Sequence, residues 1–203
     1  MTRPYLVAGS LIAALVAAAA LVLARTHRHT NAGPPAPAPA PVLGALAFQT
    51  TYPPGWSLTT QAQPRGAVRY QLSSNGVAVG ALDIPQPGGV AITITEAPAS
   101  LLVGPHAAHP AGTAPLQLLP GAVSVPTGAT AVARTSEHAA VLGGVEAGEE
   151  TYVYIYENHA NVQDDLLAVH GHKSVLVELD AEPTLAPEGQ AGLALITGHW
   201  AWR

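Results

Sequence analysis

The chain contains no cysteine among its 203 residues. Disulfides, zinc-thiolate centres, cysteine nucleophiles and iron–sulfur clusters are therefore excluded, as is a lipid-modified cysteine. Charge is also scarce, at 10% Asp, Glu, Lys and Arg. It is unevenly placed as well. The first 43 residues carry Arg3, Arg25 and Arg28 and no acid. From Gly44 onward five basic residues (Arg65, Arg69, Arg134, Lys173, Arg203) stand against all thirteen acids, a net of −8. So acidic a domain has no electrostatic footprint for nucleic acid, and anionic headgroups repel it. No P-loop, GxGxxG, GxSxG or HExxH pattern is present. The composition thus assigns no catalytic residue and no cofactor.

What is present begins with one apolar run. Tyr5 to Ala24 is uncharged over twenty residues. As a helix it spans about 30 Å, the thickness of a bilayer core. Arg3 flanks one end, Arg25 and Arg28 flank the other, and Tyr5 sits at an interfacial position. The run exceeds the usual h-region of a cleaved signal, so a retained single-pass anchor is expected. Val22-Leu23-Ala24 keeps cleavage and secretion as the alternative. The flanks are nearly equal in charge. The preferred orientation, with the C-terminal domain outside, follows from the short basic N-terminus. Residues 25–43 then form a Pro/Ala-rich linker with polyproline II character, able to lift a domain some 30–40 Å off the bilayer.

Residues 44–203 read as one soluble domain of normal size. Apolar stretches alternate with turn signals, giving strands at Val68–Leu72, Val77–Ile84, Val90–Thr95, Thr130–Arg134, Thr151–Tyr156, Leu166–His170 and Ser174–Asp180. Ser74-Asn75-Gly76, Gly143-Gly144 and Gly171-His172-Lys173 supply turns. Pro187–Ile196 suits a helix with Pro and Glu188 in its first turn, although two glycines weaken it. Trp200 and Trp202 share one face of a closing strand. Leu101 to Gln117 reads as a long irregular connection. The strand density predicts an α+β fold on an antiparallel sheet.

Several of these segments, taken in order, resemble PsbP-like domains. Pro53-Pro54-Gly55-Trp56 is similar to the P-x-G-W segment that precedes a first hairpin in that family. Gly143-Gly144-Val145-Glu146-Ala147 is similar to its GG-x-x-A hairpin. A hairpin near His170–Lys173, a helix near Pro187–Thr197 and a last aromatic strand follow in the family's order. The resemblance covers about residues 46–203. It implies an α/β/α sandwich with a curved antiparallel sheet, in a family that includes photosystem II extrinsic subunits, small-GTPase binders and actinobacterial envelope proteins. Bacterial members are commonly tethered through a lipidated cysteine, a role that falls here to the apolar helix. The family shares no catalytic set, so none is carried over.

Candidate chemistry is thin. His170 and His172 form an H-x-H pair whose imidazoles would share a metal if both lay on one strand face. A third ligand would come from His159, Glu157 or Asp164. The competing reading places the pair on a solvated hairpin tip. His106 and His109 lie in the Pro-rich connection and read as surface residues. Glu149-Glu150 and Asp164-Asp165 read as turn or strand-entry features. Tyr152, Tyr154 and Tyr156 share one strand face, an amphipathic outer one opposite an apolar inner one of Thr, Val and Ile; it reads either as a stacking or partner-binding ladder or as a face half covered by a helix. The function expected is a membrane-tethered, non-catalytic, extracytoplasmic binding or accessory domain for a protein partner or envelope component. The alternatives are a metal-binding domain through His170 and His172, or an enzyme of unrecognised type.

Overall fold

In the computed structural model the described residues are 39–203, except 77–78, 80–84, 86, 103–113 and 123–124. The expected anchor, most of the linker, His106, His109 and nearly all of the expected Val77–Ile84 strand lie outside them. Within that last segment an isolated bridge joins Val79 to Pro85. Among the described residues no helix is long and apolar enough to cross a membrane. Residues 39–203 form one compact unit.

The protein is built on a mostly antiparallel sheet with a few helices. Three short strands come first: β1 (Val42–Gly44), β2 (Phe48–Thr51) and β3 (Ser57–Ala62). β4 (Val68–Ser73) and β5 (Val90–Pro98) follow. A short helix α1 (Ala99–Leu102) and α2 (Pro115–Ala122) precede four long strands, β6 (Thr130–Leu142), β7 (Val145–Tyr156), β8 (His159–His170) and β9 (Lys173–Ala181). Helix α3 (Ala186–Gly198) and β10 (Ala201–Trp202) close the chain. The main sheet has seven strands in the order β3-β4-β5-β9-β8-β7-β6, and β1-β2-β10 make a second, small sheet. Every pairing between these strands is antiparallel.

The expected hairpins form where glycine permits positive φ. Gly143 and Gly144 turn β6 into β7, at φ 56° and 82°. Gly171, at φ 59°, turns β8 into β9. Each expected strand that is described is present, and most are longer than the sequence pattern suggests. β6 runs eight residues beyond Arg134. It is an edge strand, and its pairing with β7 shifts register between Thr130 and Ala133 and again between Arg134 and Ser136.

Alternation divides the main sheet into two faces, both covered. One carries Leu72, Val90, Ile92, Ile94, Ala147, Val175, Val177 and Leu179 against Leu193 and Ile196 of α3 and against Phe48 and Trp200. The two glycines that weaken the helix in the sequence explain its close docking. A Cβ at Gly189 would sit 2.6 Å from Leu179 Cδ1, and one at Gly192 would sit 2.9 Å from Trp56 Cη2. Phe48 stacks on Trp200 at 4.1 Å, and Trp200 meets Trp202 edge-on at 5.5 Å.

The other face carries Leu167 and Leu176 beneath Leu119, Leu116 and Leu118 of α2. This helix corrects the reading of Leu101–Gln117 as wholly irregular. Pro115 starts it, and Gly148 on β7 makes room for it, since a Cβ there would lie 2.5 Å from Leu116 Cα.

Candidate functional site

Beside the small apolar contact under α2, the same sheet face turns polar. Register carries one row straight across four strands: Thr93 opposite Glu178, Glu178 opposite Asp165, Asp165 opposite Glu150. With strands about 4.8 Å apart, three carboxyl groups stand as immediate neighbours. The next row holds Asp180, Gln163 and Tyr152, and beyond it Asn161 faces Tyr154. Asp165, Glu150, Gln163, Asp180, Asn161, Thr93 and Tyr154 are all buried. Glu178 alone in the three-carboxyl row keeps partial access to solvent.

This arrangement corrects two expectations. Glu149-Glu150 and Asp164-Asp165 lie within β7 and β8 rather than at turns, and the two members of each pair point to opposite faces. The tyrosine face of β7 is not an outer one either: Tyr154 is completely buried and Tyr152 and Tyr156 are half-buried, which is the half-covered face and not the open ladder. The reason is the same in both cases: the sheet is covered on both sides, so polar residues on the α2 face are enclosed and must find partners.

Most of them do. Gln163 Nε2 donates to both oxygens of Asp165, at 3.0 and 2.8 Å. Tyr154 Oη donates to Asp180 Oδ1 at 2.7 Å. Tyr152 Oη donates to Glu150 Oε2, and Arg134 bridges Glu150 Oε1 at 2.9 Å and Glu137 Oε2 at 2.6 Å. Two buried atoms are left over, Thr93 Oγ1 and Gln163 Oε1. On the opposite face Asp164 accepts a hydrogen bond from Gln190 Nε2 at 2.7 Å, and Glu149 pairs with His138 at 3.1 Å.

Electrostatics follow from enclosure. Burial, reinforced by Asp180 and opposed by the nearby Arg69, pushes the Glu178 carboxyl up to about 7. Burial raises Asp180 to about 7 against the opposing pull of the Tyr154 hydrogen bond. Asp165 goes well above the ordinary carboxylate range, through burial and then the charge of Glu178. The phenols move the same way: burial and the bond to Glu150 push Tyr152 up to about 12, and burial beside Asp180 raises Tyr154. Enclosure thus favours the neutral form of Glu178, Asp165 and Asp180.

The histidines are dispersed. His170 ends β8 and stacks on Trp202 at 5.0 Å, while His172 stands at the exposed hairpin tip, where its carbonyl accepts the Ala99 N–H at 2.9 Å. Glu157 and His159 belong to the far end of β8, about 35 Å away along the strand. Asp164 lies midway and is engaged with Gln190. Among the described residues no three His, Asp or Glu side chains are grouped to hold a metal.

The fold recurs in a known protein. The solution structure of cyanobacterial PsbP (CyanoP) from Synechocystis superposes with a TM-score of 0.51 at 10% identity, over 86% of this chain and 98% of that one. The fold is PsbP-like. The segments that carry the resemblance in the sequence fall in the order that the resemblance implies. Pro53–Trp56 leads into the β3–β4 hairpin, Gly143–Ala147 begins β7, and α3 precedes the last strand. LpqN, a protein involved in cell envelope biogenesis of Mycobacterium tuberculosis, is also similar, at 14% identity and a TM-score of 0.47 over 81% of this chain and 86% of that one. No protein-family model and no curated protein sequence matches the chain.

Proposed function

We propose that this chain is a membrane-tethered, non-catalytic binding or accessory domain carried outside the cytoplasm. The tether is the uncharged run from Tyr5 to Ala24, and residues 25–43 are its spacer. The observation that carries the non-catalytic part is the engagement of the buried carboxyls. Asp165 is occupied by Gln163, Asp180 by Tyr154, and Glu150 by Tyr152 and Arg134. A catalytic carboxyl must reach a substrate, and these are enclosed and already bonded to their neighbours. They specify how the α2 face packs.

The test is made on intact cells. Full chain should sediment with membranes, resist alkaline extraction and be digested by protease added from outside. A mature N-terminus at Arg25 in the soluble fraction overturns the tether, and protection from external protease overturns the orientation.

One observation favours a second reading. Glu178 combines a raised pKa with partial access to solvent, a pairing suited to proton transfer near neutrality. If purified chain turns over an ester, peptide or glycan and Glu178→Gln abolishes this while the fold is kept, the enzyme reading replaces the first.

A further inference from the structure

The domain from Gly44 onward is strongly acidic, with only five basic side chains. Two of these, Arg65 and Arg69, line the same open, shallow cavity of about 470 Å³ at the β3–β4 hairpin. Gln63 and Thr95 add polar walls, and Ala67 and Leu101 add apolar ones. Among the described residues none that lines it is acidic. Thr95 stands directly opposite Arg69 on the neighbouring strand. The polar lining thus offers two guanidinium groups, of which Arg69 is also engaged within the fold and attracts the nearby Glu178 carboxyl, together with an amide and a hydroxyl that can donate or accept.

The backbone at Arg65 adds an independent sign. The hairpin loop is closed by the Gln63 N–H donating to Ala67 O at 2.8 Å, and Arg65 within it has φ 62° and ψ 26°. That is the left-handed region, which disfavours any residue with a Cβ and suits glycine. Gly66 follows at φ 79°. The loop thus holds an arginine where the backbone geometry favours glycine, and its guanidinium has no hydrogen-bond or ion-pair partner among the described residues. Backbone strain of this kind recurs at ligand-binding positions, and the Arg65 side chain is exposed where a ligand can reach it.

We propose that this cavity binds an oxyanion, a carboxylate or phosphate group, carried on a ligand with a small apolar body. The inference rests on the reading of the chain as a binding domain and names the chemistry of what it binds. Guanidinium forks match the two oxygens of such a group. The walls of Ala67 and Leu101 suit the apolar part, which an open site of this size covers on one side. On a domain of net negative charge, two neighbouring arginines give an anion a local place to dock.

The test uses full chain in neutral detergent micelles, titrated calorimetrically with n-butyl phosphate and, separately, with dihexanoyl phosphatidic acid. Wild type should bind at least one of the two. Tighter binding of the phosphatidic acid assigns a lipid headgroup as the source, and tighter binding of butyl phosphate assigns a soluble ligand. The affinity should fall about 10-fold or more in Arg65→Gly and in Arg69→Gln. It should also weaken as salt is raised. Arg65→Gly is the decisive variant, because glycine fits the left-handed backbone. Its thermal midpoint should equal or exceed that of wild type, so lost binding cannot be lost folding. Absence of binding by wild type at millimolar ligand, or unchanged affinity in Arg65→Gly, overturns the proposal. Either failure leaves the tethered-domain reading intact, since that is read from fractionation and protease access.

Discussion

Stability should fall as the solution passes from mildly acid to neutral. Glu178 and Asp180 hold pKa values near 7 in the folded protein, and Asp165 is raised as well. In the unfolded chain these carboxyls return to the ordinary range near 4. Between about pH 4 and 7 the folded state therefore binds more protons than the unfolded one, and the linkage slope is negative. The contribution of these groups is fully present below the unfolded pKa and is lost as pH rises through the folded one. A pKa difference of one between folded and unfolded states is equivalent to ~1.4 kcal/mol. The groups are neighbours and share protons, and partial hydration relaxes buried charge, so a combined loss of about 3 kcal/mol is expected. Urea unfolding at pH 5, 6, 7 and 8, followed by tryptophan fluorescence, measures it. The midpoint should drop across the series with an unchanged m-value. Asp180→Asn removes one titrating group while keeping an acceptor for the Tyr154 hydroxyl, and should flatten the slope and stabilise the protein at pH 8. Stability that rises from pH 5 to 8, or a slope unaltered in Asp180→Asn, would refute the reasoning.

Other perturbations have equally definite outcomes. Tyr154→Phe deprives Asp180 of its buried donor and should cost about 1–3 kcal/mol at pH 8, less at pH 5 where the carboxyl is protonated, by the same urea assay. Trp200→Ala opens a cavity between Phe48 and Trp202 and should cost about 3–5 kcal/mol in calorimetry. Gly148→Ala drives a methyl into the Leu116 backbone and should cost about 1–3 kcal/mol, with amide exchange speeding first in α2. Gly143→Ala meets both a left-handed φ and Trp200 Cδ1 at 2.7 Å, and should lower the thermal midpoint by several degrees.

The hairpins and the closing helix are legible in the sequence because their signals are local. Gly143-Gly144, Gly171 and the Pro187-Glu188 helix start each act within a few residues. Helix α2 is not, because Pro120 and Gly121 interrupt it and Leu116, Leu118 and Leu119 give too short a stripe to show a period. The polar row is hidden for a different reason. Acids in pairs look solvated in sequence, and only the register of β5, β9, β8 and β7 brings Thr93, Glu178, Asp165 and Glu150 into line. A faint signal does exist. Gln163, Asp165, Leu167 and Val169 alternate along one face of β8, and a face that holds two aliphatic residues is a face to be covered. The alternation in Thr151–Tyr156 is plain from the residues, but which side meets solvent depends on whether a helix sits there, and that is decided elsewhere in the chain.

The broken pairing along β6 has a consequence beyond this one hairpin. Thirteen residues of edge strand offer a long row of amide and carbonyl groups on which another copy could grow, and Val132 and Val141 already face outward. Two bulges at its start bend that row, and Arg134, Glu137 and His138 crowd its middle with charge. An edge that is bent and charged in this way pairs poorly with a second copy, so the sheet ends at β6 instead of continuing into a neighbour.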